Sequence, residues 1–274
     1  FTGRGNASRA ESATGSRVNQ PRYDLSGRVA FISGASAGIG AHLARLYAAA
    51  GAAVVLGARR LERCEALAAQ ITAAGGRALA VPLDVTEEPS LIAAFDAAEA
   101  AFGAPDVVVA NAGIGTGGRS TDVPLDSLRA LVDTNFTGLY LSAREGAKRM
   151  IAAGSRESER GRIILIGSMT AHMSNQGDAA YAALKAGVEH LGRQFAREWI
   201  RLGINVNTVH PGIIPTGSNA DWFAGARGEA QIAGLPRRRL VDLGALDDIM
   251  LLLAADASRQ LTGTAITIDD GQSL

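Results

Sequence analysis

The sequence predicts a doubly wound α/β fold, in which helices cover both faces of a parallel sheet within a single domain. Short β-branched or apolar runs alternate with Ala-rich helical stretches along most of the chain, and such alternation is typical of right-handed βαβ units. A glycine-rich turn joins the first strand to the first helix. We find no linker or internal repeat in the 274 residues, a length that one α/β domain can fill.

The predicted elements follow one another in a regular order from Gly27 onward. Apolar and β-branched runs, two of them taken with their exit loops, predict seven strands over 28–33, 52–58, 77–85, 106–113, 162–168, 204–212 and 263–271. Helical periodicity predicts helices over 39–51, 60–74, 87–102, 126–153, 179–202 and 243–255. These alternating elements would place the sheet inside two helical layers.

Three segments fall outside this alternation. The first 24 residues are rich in Ser, Gly and Arg, so 1–24 is predicted to be a flexible tail and 25–274 the folded domain. The polar segment 154–161 is predicted to be a surface connection. The stretch 213–240 lacks strong periodicity, and long irregular segments in compact domains are often lids over a binding site. We therefore predict a substrate lid there.

Composition excludes several classes of function. Lys and Arg number 27, as do Asp and Glu, so we expect no nucleic-acid partner. No apolar run reaches the roughly 18 residues that span a bilayer, and we expect no membrane partner. The single cysteine, Cys64, cannot form an internal disulfide and is predicted to be a bystander thiol, which fits a cytoplasmic location. We assign no metal ligands from the sequence.

The stretch "FISGASAGIG" places Gly34, Gly38 and Gly40 between a strand and a helix. Glycines allow a tight turn and a close approach to a pyrophosphate, and the helix N-terminus offers free N–H groups. The same residues also match the G-x-S-x-G turn of serine hydrolases, with Ser36 as nucleophile and a histidine such as His210 as its partner. Both interpretations stay open at this point, although the second leaves Tyr181 without a role.

Further motifs appear in a fixed order after the glycine turn. They are "LDV" at 83–85, "NAG" at 111–113, Asn135, Ser168, "YAALK" at 181–185 and "PG" at 211–212. With these motifs the chain resembles the short-chain dehydrogenase/reductase family, which includes carbonyl reductases and β-ketoacyl carrier-protein reductases. The resemblance covers about residues 25–271. It implies a Rossmann-type domain that transfers a hydride between a nicotinamide cofactor and a ketone or secondary alcohol.

The catalytic assignment combines this resemblance with the chemistry of the residues. Tyr181 and Lys185 are four residues apart and share one helix face. A nearby ammonium stabilises a phenolate, so we expect Lys185 to lower the pKa of Tyr181 and make it a general acid and base. Ser168 would hydrogen-bond the substrate oxygen. The resemblance implies that Lys185 also holds the nicotinamide ribose and that Asn135 positions a water.

The resemblance also implies the cofactor-binding residues. Asp84 would accept a hydrogen bond from the adenine, Val85 would lie beside it, and Pro211, Gly212 and Thr216 would approach the nicotinamide. The complete predicted set is Gly34, Ser36, Gly38, Ile39, Gly40, Arg59, Asp84, Val85, Asn111, Gly113, Tyr181, Lys185, Pro211, Gly212 and Thr216. Strand carboxyl ends bind ligands in open α/β sheets, which agrees with these positions.

The end of the second strand favours NADP(H) over NAD(H). An acidic residue there would bond a ribose 2′-hydroxyl, but the sequence has Ala58 followed by Arg59. A guanidinium suits a 2′-phosphate by charge and by geometry. The basic residue that many NADP-using members carry before the middle glycine is here Ala37.

The sequence thus predicts an NADP(H)-dependent oxidoreductase acting on a small carbonyl or alcohol substrate. The alternatives are a serine hydrolase and a non-catalytic NAD(P)-binding protein on the same fold. By analogy with the family, helices 126–153 and 179–202 would pair across subunits in a homodimer or homotetramer. His172 follows Ser168 by four residues, and both a position in the substrate cavity and a surface position stay open for it.

Overall fold

The structure is a computed structural model of the chain. It describes residues 23–115, 117–174, 176–216 and 220–274. The predicted tail over 1–24 lies outside the described residues, apart from Tyr23 and Asp24. No helix in these described ranges is both long and apolar enough to cross a membrane.

The described residues form one seven-stranded sheet in which every neighbouring pair is parallel. The strand order is β3-β2-β1-β4-β5-β6-β7. The strands are β1 Val29–Ser33, β2 Ala53–Ala58, β3 Arg77–Pro82, β4 Val107–Ala110, β5 Gly161–Ile166, β6 Ile204–Pro211 and β7 Ala265–Ile268. The doubly wound fold and all seven predicted strands are confirmed. The order reverses between β1 and β4, where open α/β sheets bind ligands.

Ten α-helices are described around the sheet. They are α1 Gly38–Ala49, α2 Leu61–Ala73, α3 Glu88–Phe102, α4 Leu125–Val132, α5 Leu139–Ala152, α6 Ser155–Ser158, α7 Ala179–Trp199, α8 Ala220–Phe223, α9 Ala226–Gly234 and α10 Asp247–Ala254. The sheet side chains pack into two separate apolar clusters, one with α1, α2 and α10 and the other with α3, α5 and α7. Burial of both sheet faces explains why the strands read as continuous apolar runs.

The predicted helix over 126–153 is interrupted by a π-helical turn, Asp133–Gly138, between α4 and α5. Gly138 closes this turn against β3's exit, because a Cβ there would lie 2.6 Å from Val85 Cγ2. Such turns contain one extra residue per turn, which periodicity alone does not reveal. Their frequent occurrence at functional sites agrees with the position of Asn135 inside this one.

Two other segments contain more structure than the sequence predicts. The polar connection 154–161 includes α6, and its Ser155 is buried and donates to the Leu202 carbonyl at 2.6 Å. The segment 213–240 carries α8 and α9 in its described part. Both corrections concern short helices that gain their stability from packing, so propensity gives little sign of them.

Candidate active site

The glycine turn after β1 is packed tightly against the exit of β4. Gly34 has φ +71°, and a Cβ there would lie 2.8 Å from Ala112 Cα. A Cβ on Gly40 would lie 2.5 Å from the Gly34 carbonyl oxygen and 2.7 Å from Asn111 Nδ2. The turn therefore needs glycine at both positions, at the first for its backbone conformation and at both for close contact.

Hydrogen bonds hold β1 and β4 together at this end of the sheet. The Ser33 hydroxyl accepts from the backbone N–H groups of Asn111 at 3.0 Å and Ala112 at 3.1 Å. The Asn111 side chain returns a hydrogen bond to the Ser33 carbonyl at 2.9 Å. The two strand ends are thus fixed relative to each other where the strand order reverses.

A cleft of about 550 Å³ opens along the glycine turn. Of the residues predicted to bind a cofactor, ten line it: Gly34, Ser36, Gly38, Ile39, Arg59, Asp84, Val85, Asn111, Gly113 and Thr216. These residues come from distant parts of the chain and meet only because parallel strands end at one edge of the sheet. The size of the cleft suits a ligand larger than a single nucleotide base.

Five predicted cofactor residues do not line this cleft: Gly40, Tyr181, Lys185, Pro211 and Gly212. For Gly40 the structure gives a packing role inside the turn. Gly212 packs against the chain's C-terminal turn, because a Cβ there would lie 2.7 Å from Asp269 Cα. Pro211 is the buried last residue of β6. In this structure the "PG" motif at 211–212 therefore packs closely against the backbone of the C-terminal turn.

The start of α1 gives the cleft an anion-binding end. The helix begins at Gly38 behind Ala37, and the N-cap residue Ala37 makes no side-chain capping hydrogen bond. Its first turn carries no acidic residue. Uncapped N–H groups and the helix dipole together favour phosphate oxygens.

Three arginines, Arg59, Arg60 and Arg63, line the cleft beyond the end of β2. Arg60 donates to the Ser36 hydroxyl at 2.9 Å. The sequence analysis assigns only Arg59 to the cofactor. The i, i+3 spacing of Arg60 and Arg63 at the start of α2 is the signal that could have added them.

Asp84 lines the same part of the cleft and carries a negative charge there. Burial raises the pKa of its carboxyl, but hydrogen bonds from the Thr86 hydroxyl and N–H and the charge of Arg59 outweigh this, so the pKa lies below its usual value. The hydrogen bonds are 2.7 and 3.0 Å long. Both use Oδ1, which leaves Oδ2 as an acceptor for a ligand.

The serine hydrolase alternative finds no support in the described residues. Ser36 has Arg60 as its hydrogen-bond partner, and a guanidinium cannot act as a general base. His210 instead contacts the backbone of Ser168 at 2.8 and 3.0 Å. A nucleophilic serine needs a histidine within hydrogen-bond reach, which this arrangement does not provide.

Cys64 is a buried residue of α2. Burial raises the pKa of its thiol to about 11. Because the thiolate is the nucleophile, a thiol with so high a pKa is unreactive near neutral pH. This agrees with its prediction as a bystander.

Ser168, Tyr181 and Lys185 come together beside the carboxyl end of β5. Burial raises the pKa of the Tyr181 phenol, while a hydrogen bond from Ser168 lowers it and the charge of Asp178 raises it further. The net pKa lies above its usual value. The Ser168 hydroxyl also accepts from the Thr170 N–H at 3.2 Å, which fixes its position at the start of a 3₁₀ turn.

Lys185 is buried, and its Nζ donates to the Ile166 carbonyl at 2.9 Å. The Nζ atom lies 5.6 Å from the centre of the Tyr181 ring. The expectation that Lys185 brings the pKa of Tyr181 below its usual value is wrong for the protein's own residues, because burial of the phenol dominates. Burial also lowers the pKa of Lys185 itself, to about 8.

We expect Lys185→Met to stabilise the protein at neutral pH but not near pH 10.5. The pKa of about 8 compares with about 10.4 in an unfolded chain, so between these values the unfolded state binds more protons. Wild-type stability therefore rises with pH across this window. The difference corresponds to about 3 kcal/mol, and loss of the hydrogen bond to Ile166 offsets about 1 kcal/mol.

Urea unfolding of the wild type and Lys185→Met measures this effect. We expect a gain of about 2 kcal/mol at pH 7 that disappears near pH 10.5. Lys148→Met is the control, because Lys148 is exposed and its buried partner Glu145 keeps an ion pair with Arg149 when Lys148 is removed. Equal effects of Lys185→Met at both pH values would contradict the assignment of a depressed pKa.

Asn135 connects the π-helical turn to the loop after β4. Its Nδ2 donates to the Ile114 carbonyl at 2.7 Å, and its Oδ1 accepts from the Ile114 N–H at 2.8 Å. Both side-chain groups are thus engaged with the backbone, and the residue is fully buried. The structure gives Asn135 a positioning role for the cleft wall, and its role with a water stays a prediction.

We expect Asn135→Ala to lower the free energy of unfolding by about 2–4 kcal/mol. The substitution removes two hydrogen bonds and leaves the Ile114 N–H and carbonyl without their partners, each at a cost of about 1–3 kcal/mol. Thermal or urea unfolding measures the loss. Thr137→Ala, an exposed change in the same π turn, should cost less than about 0.5 kcal/mol. A similar loss of unfolding free energy in both variants would contradict a stabilising role for the two hydrogen bonds between Asn135 and Ile114.

His172 and His210 lie near each other on the other side of Ser168. Their ring centres are 4.8 Å apart, and each Nε2 lies 3.2 Å from Glu189 Oε2. Of the two positions left open for His172, the structure supports the surface one, because its side chain is 39% exposed and it does not line the cleft. Glu189 was not singled out in the sequence, since a single glutamate on a helix is usually a solvated surface residue.

The comparison with protein families identifies the class. The family model of the short chain dehydrogenases matches residues 28–227. Together with the parallel sheet and the glycine-lined cleft, this match shows that the chain belongs to the short-chain dehydrogenase/reductase family. It is an oxidoreductase of that family acting on CH–OH groups, and the family uses NAD(P).

Two curated relatives and one solved structure show the likeness along nearly the whole chain. The cis-4-hydroxycyclohexanecarboxylate dehydrogenase of Sinomonas cyclohexanicum is 37% identical over 249 residues, covering 89% of this chain and 96% of that protein. The trans-4-hydroxycyclohexanecarboxylate dehydrogenase of the same organism is 38% identical, covering 90% and 93%. A gluconate 5-dehydrogenase from Burkholderia cenocepacia, solved with NADP and tartrate, is 33% identical with a TM-score of 0.85, covering 92% and 97%.

Proposed function

We propose that this chain is an NADP(H)-dependent oxidoreductase that interconverts a ketone and a secondary alcohol, with Tyr181 as general acid and base. The observation that supports the proposal is the grouping of Tyr181, Ser168 and buried Lys185 at the carboxyl end of β5. This strand pairs with β4, and residues 111–114 after β4 line the glycine-lined cleft. Bound NADP(H) would supply or accept the hydride at its nicotinamide ring.

The fit to a dinucleotide rests on this chain's own residues. Gly34 and Gly38 line the cleft with φ angles of +71° and +55°, so the turn presents backbone and no side chain at these two positions. The uncapped N–H groups of α1 would hold the pyrophosphate. Asp84 Oδ2 would accept a hydrogen bond from the adenine amine, as its charge is secured by Thr86 and Arg59.

The raised pKa of Tyr181 suits proton donation during carbonyl reduction. At neutral pH the phenol holds its proton and can give it to the developing alkoxide, while the Ser168 hydroxyl donates a second hydrogen bond to that oxygen. Lys185, with a pKa of about 8, can return a proton towards the phenol. In alcohol oxidation the same groups act in reverse, which favours alkaline pH.

Three arginines support the choice of NADP(H). Arg59, Arg60 and Arg63 line the cleft, and Ala58 stands where an acidic residue would repel a 2′-phosphate. Arg60 is held by Ser36, which would orient its guanidinium towards the cleft. The NADP bound to the gluconate 5-dehydrogenase from Burkholderia cenocepacia agrees with this choice.

The test is a panel of carbonyls and secondary alcohols, followed by nicotinamide absorbance with NADP(H) and NAD(H) in parallel. The panel includes cis- and trans-4-hydroxycyclohexanecarboxylate and gluconate, since the relatives described above carry these names. We expect turnover of at least one pair with NADP(H) preferred. Ester hydrolysis without nicotinamide turnover would overturn the proposal. The substrate lid over 213–240, a homo-oligomeric state and a cytoplasmic location stay predictions.

A further inference from the structure

Three side chains of the kinds that bind metals converge beside the backbone of Ser168. His172 follows the 3₁₀ turn after β5, Glu189 lies on α7 and His210 lies on β6. Glu189 Oε2 is 3.2 Å from His172 Nε2 and 3.2 Å from His210 Nε2. The three ligand atoms all lie within 4.8 Å of one another. No residue of this cluster has a role in the proposed redox function.

The environment of His210 fixes the orientation of its ring. Nδ1 lies 2.8 Å from the Ser168 carbonyl oxygen and 3.0 Å from the Ser168 nitrogen. Donation of the Nδ1–H group to the closer carbonyl leaves Nε2 with a free lone pair. Metal-binding histidines are commonly oriented in this way by a backbone carbonyl.

The Nε2 atom of His210 is buried without a hydrogen-bond partner among the described residues. His210 is 0% exposed. Although Glu189 Oε2 is only 3.2 Å away, the ring is not aligned to donate to it. Buried polar atoms are nearly always paired, so an unpaired one next to a carboxylate calls for an explanation.

Glu189 turns one carboxylate oxygen towards the two histidines. Arg193 pairs with Glu189 Oε1, so that Oε2 is the oxygen that faces the two imidazoles. Two imidazole nitrogens and one carboxylate oxygen therefore converge on one point.

We propose that His172, Glu189 and His210 bind one Zn²⁺ ion. Zinc holds nitrogen and oxygen ligands at about 2.0–2.2 Å in a tetrahedron, so neighbouring ligand atoms lie about 3.3 Å apart. Two of the three separations already have this value, at 3.2 Å. The side chain of His172 is 39% exposed, so its ring can rotate to shorten the third separation, between the ligand nitrogens of His172 and His210. The exposed side of the site would admit a water as the fourth ligand.

Two imidazoles and a carboxylate form a ligand set that suits zinc among biological divalent ions. The ion would join α7 to the turn that carries Ser168 and to the end of β6. No step of the hydride or proton transfer in the proposed redox function passes through it. We assigned no metal ligands from the sequence, in which these residues are 17 and 21 positions apart.

The experiment is a zinc titration of chelator-treated, untagged full-length protein in competition with a chromophoric zinc indicator. We expect one Zn²⁺ per chain. His172→Ala and Glu189→Gln should weaken binding by more than about 100-fold, the upper end of the loss caused by removing an outer partner of a ligand. His190→Ala is the matched control, because His190 is exposed on the same helix next to Glu189, hydrogen-bonds Gln194 and is not part of the cluster.

Two further measurements protect the test against misfolded variants and stray binding. Zn²⁺ should raise the melting temperature of the wild type and His190→Ala but not that of His172→Ala, whose exposed side chain can be removed without opening the core. Co²⁺ in place of Zn²⁺ should give the intense visible bands of a tetrahedral site. Absence of Zn²⁺ binding by the wild type, or equal binding by the wild type and His172→Ala, overturns the proposal.

Discussion

Tyr181→Phe should lower kcat by about 10²–10⁴-fold while leaving NADPH affinity unchanged within about twofold. A positioned general acid contributes about this factor to proton transfer, and the substitution removes only the hydroxyl that would carry the proton. The ring that packs near Lys185 stays in place. Initial rates of carbonyl reduction and NADPH titration by fluorescence measure the two quantities separately.

A matched control comes from Tyr140, which lies on α5 with its ring beside Phe195 and is partly exposed. Tyr140→Phe should retain turnover within about twofold, since Tyr140 is not among the residues proposed to act on substrate or cofactor. Turnover of Tyr181→Phe within about tenfold of the wild type would contradict the role of the phenol as the principal proton donor.

The double variant Arg59→Ala/Arg60→Ala should lower kcat/KM for NADPH by about 100-fold and leave kcat/KM for NADH nearly unchanged. Charge-assisted hydrogen bonds are worth about 1.5–3 kcal/mol each, and exposure reduces the contribution of both arginines. A total near 2.7 kcal/mol corresponds to the expected factor. NADH lacks the 2′-phosphate that the two arginines would bind, so its kcat/KM should not depend on them.

Arg45→Ala controls for the general loss of positive charge. Arg45 is an exposed arginine of α1 that bonds Gln70 and the Ala41 carbonyl and does not line the cleft. Removing the Arg45 side chain should leave kcat/KM unchanged for both NADPH and NADH. An equal loss with both cofactors in the double variant would instead assign the arginines to the shared part of the dinucleotide, and a wild type that prefers NADH would contradict the NADP(H) proposal.

Ser168 occupies a central place in this structure. Its hydroxyl lowers the pKa of Tyr181 through a hydrogen bond, and its backbone contacts the His210 ring. The proposed zinc cluster and the proposed proton donor therefore both contact Ser168. The zinc titration does not depend on turnover, so failure of either proposal can be recognised without the other.

The strands were predictable because each is a short apolar or β-branched run bounded by turn residues, and the inner strands are buried on both faces. The interruption at 133–138 of the predicted helix 126–153 was not predictable, since a π turn changes the hydrogen bonding of a helix without changing its composition. The helices α8 and α9 were missed for a related reason. Short helices depend on what they pack against, and their sequences carry a weak periodic signal.

For the site, spacing along the chain revealed the residues that share one element. Tyr181 and Lys185 are one helical turn apart, and the glycines of 34–40 form a single turn. The direction of the Tyr181 pKa was wrong because burial depends on residues far away in sequence. Arg60 and Arg63 were underrated because an arginine at a helix start is usually solvated.

The sequence by itself determined the sheet, the glycine turn, the order of the family's motifs and hence the class of chemistry, since these follow from local pattern and from short spacings. Only the tertiary structure decided which groups are dehydrated and which distant groups meet. It buried Lys185 and partly buried Tyr181, bound the Asn135 side chain to the Ile114 backbone and brought His172, Glu189 and His210 to one point. The physical reason is that desolvation and the convergence of strand ends depend on three-dimensional packing, which no interval along the chain records.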